Sequence, residues 1–383
     1  MRFGLTDDDI ALRDMARAFA AENLSPHAVA WDRTKHFPID VLRNAASLGI
    51  GAIYIPHEDG GSGLSRLQAV LIFEALATGC PTVSAYLSIH NMCASMVERL
   101  GNLEQKRRWL PRLVSMELLS SYCLTEPGSG SDAAALRTRA VRDGSHYVVN
   151  GQKQFISGAG NPHGFYVVMA RTSDDGAKGI TTLVIEDGTP GLSFGAEEHK
   201  MGWNAQPTRA VLFDDVKVPV ENRLGAEGDG FKIAMSALDG GRLNIAACSL
   251  GGAQAAFDKA IAYMTERKAF GQRLSDFQAL RFKIADMATE LEAARIFLSA
   301  AASAVDEDEP GKVRRVAMAK KFVTDRCFDV ANDALQLHGG YGYLSDYGIE
   351  KIVRDLRVHQ ILEGTNEIMR LIIARDIFSE HSA

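Results

Sequence analysis

The chain has 383 residues, of which 46% are hydrophobic and 23% are charged, and its formal net charge is −6 at pH 7. This composition is typical of a soluble globular protein, and the length exceeds what one hydrophobic core supports, so we expect two or three domains. The negative net charge argues against a nucleic-acid-binding protein, because such proteins need a basic surface. No apolar run is long enough to span a bilayer, which argues against an integral membrane protein.

The cysteines and the first residues indicate a compartment. The five cysteines are scattered and form no C-x-x-C pair, which favours a reducing compartment over a disulfide framework or a zinc site. The histidines have no metal-ligand spacing either, so we expect no metal. The chain starts MRFGLTDDDI, which resembles neither a signal peptide nor a transit peptide. We therefore expect a cytoplasmic protein, or a mitochondrial-matrix protein only if a transit segment has been removed.

Residues 1–119 predict an N-terminal helical domain. Thr6 is placed to cap a first helix, in which apolar residues recur at helical spacing from Ile10 to Phe19. Further helices are predicted on both sides of the glycine-rich loop 56–63. That loop does not resemble a phosphate-binding loop, because no strand precedes it and no Gly-Lys-Ser/Thr follows it.

Residues 120–229 have a different pattern, in which short apolar segments alternate with turn residues. Segments 146–149 and 152–157 flank an Asn150-Gly151 turn, which is typical of a β-hairpin. More strand-like segments follow without helical patterns between them. We predict a middle domain built as an antiparallel β-sandwich or barrel.

Residues 230–383 return to helical periodicity and predict a C-terminal helical bundle, so the expected fold class is α+β. Two adjacent glycines, Gly240 and Gly241, lie inside its first long helix and cost about 2 kcal/mol relative to alanine. A helix that carries this cost usually allows close approach by another backbone or by a ligand.

Two segments could bind phosphate groups. The loop Tyr122–Asp132 has hydroxyls and glycines that can present N–H groups to a pyrophosphate or a flavin edge, but ordinary turn chemistry explains it equally well. Arg267 and Lys268 end a helix, where they could reach a phosphate or complement the helix dipole. The residues alone leave both alternatives open in each case.

Glu363 is the main candidate for a catalytic residue. It follows the apolar pair Ile361-Leu362 and precedes a Gly-Thr-Asn turn, so its carboxylate is expected to be poorly hydrated, which raises the pKa. Such a carboxylate suits a general base that acts near neutral pH. In the alternative interpretation, Thr365 caps the next helix, Glu367 lies in its first turn and Glu363 is a solvated loop acid.

Five segments together resemble the acyl-CoA dehydrogenase family and occur in that family's order. They are 122–132 (YCLTEPGSGSD), 151–157 (GQKQFIS), 266–271 (ERKAFG), 336–342 (QLHGGYG) and 362–367 (LEGTNE). The helical–β–helical layout also matches from end to end. Three further segments are most similar to the family members that oxidise isobutyryl-CoA, and these are 202–211, 238–246 and 358–370.

The resemblance implies a non-covalent FAD between the middle and C-terminal domains of a homotetramer, with part of each cofactor site supplied by a neighbouring subunit. The residues implied to contact FAD are Tyr122, Cys123, Leu124, Thr125, Gly130, Ser131, Phe155, Ile156, Ser157, Arg267, Gln278, Gln336, Leu337, His338, Gly339, Gly340, Thr365, Asn366 and Glu367. The residues implied to contact the acyl-CoA are Ser131, Asp239, Gly240, Gly241, Arg242, Gly364 and Arg375. Glu363 matches the family's catalytic base.

The resemblance also implies the reaction. Glu363 would remove the proton next to the thioester carbonyl while the β-hydrogen leaves as hydride to the flavin, and electron-transferring flavoprotein would then accept the electrons. Some family members carry the base at the position of Gly241, where glycine cannot titrate. We expect the double glycine to leave space that admits an α-methyl branch. Isobutyryl-CoA, converted to methacrylyl-CoA, is the substrate that the resemblance implies.

Other substrates and other classes of protein remain as alternatives. The acyl chain could instead be 2-methylbutanoyl or butanoyl. Outside this enzyme class, the fold could serve a nucleic-acid-binding flavoprotein or an FAD-binding scaffold without turnover.

Overall fold

The computed structural model describes residues 4–381 and begins with a helical region. Its helices span Asp7–Phe19 (α1), Ala28–Thr34 (α2), Ile39–Ser47 (α3), Arg66–Ala77 (α4), Pro81–Leu100 (α5) and Leu103–Val114 (α6). Thr6 caps α1 as predicted, because its hydroxyl accepts the N–H of Asp9 while the Asp9 carboxylate accepts the N–H of Thr6.

The chain next forms an eight-stranded sheet. Its strands span Leu119–Cys123 (β1), Arg139–Asp143 (β2), His146–Ser157 (β3), Gly164–Arg171 (β4), Ile180–Glu186 (β5), Leu192–Phe194 (β6), Thr208–Pro219 (β7) and Arg223–Leu224 (β8). The order is β6-β7-β3-β2-β4-β5-β8, and β1 also pairs with β4. Most pairs are antiparallel as expected, but β1 and β2 each pair with β4 in parallel. The middle region is therefore a mixed sheet, because β1 and β2 run in the same direction as β4.

Strand β4 is buried on both faces, and its two faces belong to different cores. Phe165 and Val167 pack with helical residues such as Trp109, whereas Tyr166 and Val168 pack within the sheet. Because alternate residues of a strand point to opposite faces, this strand separates a helix-facing core from a sheet-enclosed core.

The remainder of the described chain is mainly helical. Its elements span Gly230–Glu266 (α7), Lys268–Ala269 (β9), Gln272–Arg273 (β10), Gln278–Asp306 (α8), Lys312–Leu337 (α9), Ile349–Arg357 (α10) and Asn366–His381 (α11). Helix α7 packs against α8 and α9 and also against α4 and α5. One hydrophobic core therefore contains buried residues of both helical regions. The domain boundaries at 119/120 and 229/230 stay predictions.

Asp355 on α10 joins three parts of the chain. Its carboxylate is fully buried and accepts the main-chain N–H of Trp203 at 2.7 Å, the hydroxyl of Thr82 at 2.9 Å and the ammonium group of Lys351. Because a buried carboxylate needs such partners, α10 is fixed relative to both α5 and the segment after β6. Within residues 4–381, no helix combines the length and the apolar character needed to cross a membrane.

Candidate active site

The predicted base lies in a tight turn between α10 and α11. A short 3₁₀ turn, Val358–Gln360, follows α10 and leads into Glu363, which has a φ of 55°, and Gly364, which has a φ of 91°. A left-handed conformation suits glycine but costs a residue such as glutamate roughly 1–3 kcal/mol. Such strain persists only where neighbouring contacts impose it, and it often marks a functional residue.

The carboxylate of Glu363 is buried without a compensating hydrogen bond. Part of the residue reaches the surface, but Oε2 is buried and has no hydrogen-bond partner within residues 4–381. Burial raises the pKa of Glu363 to about 7, even though the nearby charges of Lys320 and Arg242 lower it. The group can therefore accept a proton near neutral pH, as a general base must.

Two buried cations hold the main chain of this turn and leave the carboxylate unbonded. Arg242 on α7 donates from Nε to the carbonyl oxygen of Glu363 at 3.1 Å. Lys320 on α9 donates from Nζ to the carbonyl oxygen of Gly364 at 2.9 Å and to Oδ1 of Asn366 at 2.9 Å. The turn is thus anchored to both α7 and α9, which explains how the positive φ values are maintained.

The start of α11 has the cap that one interpretation of the sequence predicted. Thr365 Oγ1 accepts the N–H of Ile368 at 3.3 Å, and Glu367 lies exposed in the first turn. Asn366 is 3% exposed and uses its amide within the protein, since it accepts from Lys320 and donates to Thr324 and Asp325. Its side chain therefore holds the turn, while its expected contact with FAD stays a prediction.

His359 anchors the turn on its other side, a role that the sequence did not reveal. The imidazole is fully buried, with Nε2 accepting the indole N–H of Trp203 at 3.2 Å and Nδ1 2.6 Å from Oγ of Ser249. The Ser249 hydroxyl donates to the carbonyl of Ile245, so Nδ1 must carry the proton. Burial lowers the pKa of His359 to about 3, and the ring is neutral. Its position four residues before Glu363 is the signal that could have identified it.

The glycine pair of α7 makes room for two side chains. A Cβ at Gly241 would lie 2.4 Å from Oε2 of Glu363, and a Cβ at Gly240 would lie 2.6 Å from Nη1 of Arg66. The space beside Gly241 is therefore filled by the carboxylate of Glu363. The expectation that the missing side chain admits an α-methyl branch stays a prediction, while the 2.4 Å distance shows that the glycine allows close approach of the base.

The residues expected to contact acyl-CoA are only partly gathered around the base. Gly241, Arg242 and Gly364 lie at the turn, and Asp239 joins them through an Oδ1 that accepts from Arg242 Nη1 at 2.6 Å. Burial raises the pKa of Asp239, although the charge of Arg242 opposes this. The remaining three expected contacts are Gly240, which is buried beside Gly241 on α7, and Ser131 and Arg375, which lie exposed on the loop after β1 and on α11.

Tyr122 connects the expected flavin segment to the base. Its hydroxyl donates to the carbonyl of Ala234 on α7 at 3.1 Å. Burial raises the pKa of Tyr122 well above its usual range, and the charges of Glu363 and Arg242 also affect it. The end of β1 therefore lies within electrostatic range of the predicted base.

Buried hydrogen bonds of Glu126 fix the loop after β1, and the space beside its Gly130 is open. Glu126 is 7% exposed and accepts from Lys153 Nζ at 2.8 Å and from the N–H groups of Arg137 and Thr138 at 2.6 and 3.0 Å. A Cβ at Gly130 would meet nothing within 4 Å. Of the expected FAD contacts from Tyr122 to Thr125, Tyr122 and Thr125 are partly exposed. Cys123 and Leu124 are buried, so a ligand could reach only their main-chain groups.

Strand β3 brings a second part of the expected flavin site next to this loop. Phe155 is 64% exposed at a φ of 59°, Ile156 is buried, and the carbonyl of Ser157 accepts the hydroxyl of Ser121 at 2.8 Å. The amide of Gln206 also donates to the hydroxyl of Ser157 at 3.3 Å. An exposed aromatic ring beside hydroxyl groups and an open glycine loop fits a planar, polar-edged ring system such as a flavin.

A separate cavity of about 500 Å³ gathers most of the expected C-terminal cofactor residues. It is lined by Tyr263, Arg267, Leu274, Leu280, Lys283, Gln336, Leu337, His338, Gly339, Gly340, Tyr341 and Leu344. His338 stacks on Tyr263 with ring centroids 4.6 Å apart, and Arg267 lies over the ring of Tyr341 at 5.4 Å. Gln278, the first residue of α8, is exposed and does not line it.

This cavity has the chemistry of a phosphate-binding and ring-binding site. Arg267 supplies positive charge and the tyrosines supply stacking surfaces, whereas the ammonium group of Lys283 is paired with Asp333 at 2.5 Å. The sequence did not single out Tyr263 or Lys283, which belong to helices with ordinary periodicity. The cavity lining includes no residue between 122 and 157. Within residues 4–381 there is also no cluster of three histidine, cysteine or acidic side chains that could hold a metal ion.

Comparisons with known proteins agree with this architecture. Models of the acyl-CoA dehydrogenase N-terminal, middle and C-terminal domains match residues 6–117, 121–216 and 228–378. The chain is 52% identical over 377 residues to "Isobutyryl-CoA dehydrogenase, mitochondrial" of Bos taurus and 54% identical over 375 residues to the protein of that name from Dictyostelium discoideum. Each alignment covers 98% of this chain and 90% of the relative.

Solved structures give the same result. Butyryl-CoA dehydrogenase from Megasphaera elsdenii superposes with a TM-score of 0.95 and 38% identity, over 99% of this chain and 100% of that chain. The order of helical and sheet regions and the turn around Glu363 thus occur in a chain whose whole length matches known dehydrogenases. The protein belongs to the acyl-CoA dehydrogenase family and is a flavin-dependent oxidoreductase.

Proposed function

We propose that this protein introduces a double bond between the α and β carbons of a short branched-chain acyl-CoA, with isobutyryl-CoA as substrate and methacrylyl-CoA as product. The observation that carries the proposal is the buried carboxylate of Glu363, whose Oε2 has no hydrogen-bond partner within residues 4–381 and whose pKa is about 7. The names of the relatives at 52% and 54% identity support isobutyryl-CoA over straight-chain substrates.

The chemistry follows from the state of Glu363. Its carboxylate takes the proton from the α carbon of the thioester, and burial favours the protonated product because it neutralises a poorly hydrated charge. FAD, when bound, accepts the β-hydrogen as hydride. Negative charge develops on the thioester oxygen, and a main-chain N–H aimed at it is typically worth about 3–4 kcal/mol. The donors that the family resemblance implies are the N–H of Glu363 itself and a ribityl hydroxyl of FAD.

The residues of this chain fit FAD in two separate places. The open loop at Gly130 with exposed Phe155 suits the flavin ring, and the cavity beside Arg267 suits a phosphate-bearing group. We propose that the second place serves the cofactor of a neighbouring subunit in a homotetramer. This arrangement explains why the two groups of residues that suit FAD do not line one common cavity.

We further propose electron-transferring flavoprotein as the electron acceptor and the cytoplasm as the compartment. All five cysteines are free and buried, which agrees with a reducing compartment. The two relatives are mitochondrial by name, but that location is stated for those proteins and not for this chain.

The test is an anaerobic titration of the FAD-loaded protein with isobutyryl-, 2-methylbutanoyl- and butanoyl-CoA, followed by flavin absorbance. We expect isobutyryl-CoA to bleach the flavin fastest, and the Glu363→Gln variant to bind it without bleaching. Equal bleaching by wild type and variant would refute the base assignment. Faster bleaching by butanoyl-CoA would refute the substrate assignment alone.

A further inference from the structure

Lys320 is a buried cation that makes no direct ion pair within residues 4–381. Its side chain is fully buried on α9, and its ammonium group donates to two neutral acceptors, the carbonyl of Gly364 and the amide oxygen of Asn366, each at 2.9 Å. Transfer of an ammonium group into the interior is costly unless an opposite charge compensates it. The hydrogen-bond partners of Lys320 provide none.

Two other buried lysines show the usual arrangement. Lys153 is in contact with the carboxylate of Glu126 at 2.8 Å, and Lys351 is in contact with the carboxylate of Asp355. For Lys320, the opposite charge with the largest effect is Glu363, which raises the pKa of Lys320 while burial lowers it to about 8. Lys320 and Glu363 therefore form a charge pair that acts through space and makes no hydrogen bond.

This separation has a chemical advantage for a base. A hydrogen bond from the ammonium group to Oε2 would occupy the lone pair that must accept the α-proton. Because Lys320 instead binds the next carbonyl oxygen, its charge favours the ionised carboxylate and its hydrogen bonds fix the turn. Arg242 acts in the same way from α7, through the carbonyl of Glu363.

We propose that Lys320 is a positioning residue for the reaction, holding the turn that carries Glu363 and keeping its carboxylate ionised at neutral pH. This rests on the proposed function, in which Glu363 is the base. The other titratable or charged groups around these two residues are Tyr122 on β1, Asp239, Arg242 and Cys248 on α7, Asp325 on α9, His359 on the 3₁₀ turn and Glu367 on α11. Of these groups, only Arg242 is positively charged like Lys320 and also donates a hydrogen bond to the main chain of the turn.

The sign of the effect follows from electrostatics. Removal of the ammonium charge destabilises the ionised carboxylate, so the pKa of Glu363 rises above its present value of about 7. A nearby opposite charge typically shifts a carboxyl pKa by about one unit or more. At neutral pH a larger fraction of the base is then protonated and inactive.

The test compares Lys320→Met, which removes charge and hydrogen bonds, with Lys320→Gln, which keeps a donor, and Lys320→Arg, which keeps the charge. Lys321→Gln is the matched control, since this neighbour on α9 is partly exposed and pairs with Asp325 at 3.2 Å. The first measurement is the pH profile of kcat/KM for the FAD-loaded enzymes. We expect its acidic limb to move up by about one unit in the Met and Gln variants, and to stay in place in the Arg variant and in the control.

The second measurement follows the infrared carboxyl band of the FAD-loaded enzymes during pH titration. Subtraction of the same titration with Glu363→Gln in each background isolates this one carboxyl group, so the readout does not need turnover. An unchanged band and acidic limb in Lys320→Gln, with Glu363→Gln inactive, would overturn the role of Lys320 and leave the base intact. If Glu363→Gln stays active, the proposed function fails, whatever the infrared titration shows for Lys320. If Lys320→Met does not fold, Lys320→Gln decides the question.

Discussion

Glu126 is a buried residue and Glu363 has a buried carboxylate oxygen, yet the two carboxylates have opposite properties. Glu126 accepts three hydrogen bonds, one of them from the buried ammonium group of Lys153, and these partners lower its pKa although burial would raise it. Glu363 has a buried oxygen without a partner, and burial raises its pKa to about 7. Burial alone therefore does not make a carboxylate basic.

The difference lies in where the neighbouring lysine forms its hydrogen bonds. Lys153 donates to the carboxylate itself, whereas Lys320 donates to the main chain beside its carboxylate. The hydrogen bond from Lys153 fixes a loop and makes the Glu126 carboxylate a weaker base. The hydrogen bond from Lys320 fixes a turn and leaves the Glu363 carboxylate able to accept a proton.

The largest expected effect comes from Glu363→Gln, which removes the base and keeps the shape. We expect kcat to fall by about 10²–10⁴-fold, the usual contribution of a general base, with flavin and acyl-CoA binding retained. Because the raised pKa makes the ionised carboxylate unfavourable in the folded state, the free energy of unfolding at pH 8 should increase. Stopped-flow flavin reduction and urea unfolding measure the two effects.

The matched control is Glu367→Gln, which changes an exposed acid four residues later. Because Glu367 is an expected FAD contact, kcat is compared at saturating FAD, where it should stay close to the wild-type value. A comparable loss of kcat in both variants would show that the turn, and not the carboxylate at 363, limits the reaction.

The next effect concerns stability at the other glutamate. Lys153→Met leaves Glu126 buried without its charge partner, so we expect a loss of about 3–5 kcal/mol in the free energy of unfolding. The double variant with Glu126→Gln should recover part of this loss, because no uncompensated charge remains. Urea denaturation of the wild type, the two single variants and the double variant measures the coupling, and strictly additive losses would contradict the ion-pair account.

The fold could be predicted from the sequence because its signals are local. Helical periodicity, the Thr6 cap and the Asn150-Gly151 hairpin predict element types without long-range information, and the resemblance of ordered motifs then predicts the fold class. The parallel pairing of β1 with β4 could not be predicted, because it joins residues more than 40 positions apart and depends on how the chain enters the sheet.

The site was predicted less completely, for a physical reason. Glu363 could be identified because the family resemblance places the catalytic base there, and its apolar neighbours agree with poor hydration. Lys320 and His359 could not, because a lysine in a helix and a histidine after one have many ordinary roles. The packing of α9 and α7 around the turn is what shows that Lys320 and His359 hold the segment that carries Glu363. Gly241 was identified as a place of close approach, but the approaching group is the base itself.

Gly241→Ala tests this close approach. The added Cβ would lie 2.4 Å from Oε2 of Glu363, so the carboxylate must move. A displacement of this kind can cost about 10²-fold in rate, and we expect the loss for both branched and straight acyl-CoAs. Gly240→Ala is the comparison variant, because its Cβ would lie 2.6 Å from Nη1 of Arg66 and not beside the carboxylate. Since Gly240 is an expected acyl-CoA contact, the comparison uses kcat at saturating substrate, which should stay within a few-fold of wild type. A loss confined to branched substrates would instead favour the α-methyl hypothesis.

The smallest effects are those of pH on the unmodified enzyme, and they separate the two glutamates. Glu363 is active when ionised, so kcat/KM should rise about tenfold per unit with pH below its pKa of about 7 and level off above it. Glu126 has a lowered pKa, so its contribution to stability is present above the ordinary carboxyl pKa and disappears only as the pH falls through the folded-state value. Activity should therefore decline between pH 7 and 5 while urea unfolding detects no loss from Glu126. If activity and stability decline together over that interval, unfolding and not protonation of Glu363 is responsible for the acidic limb.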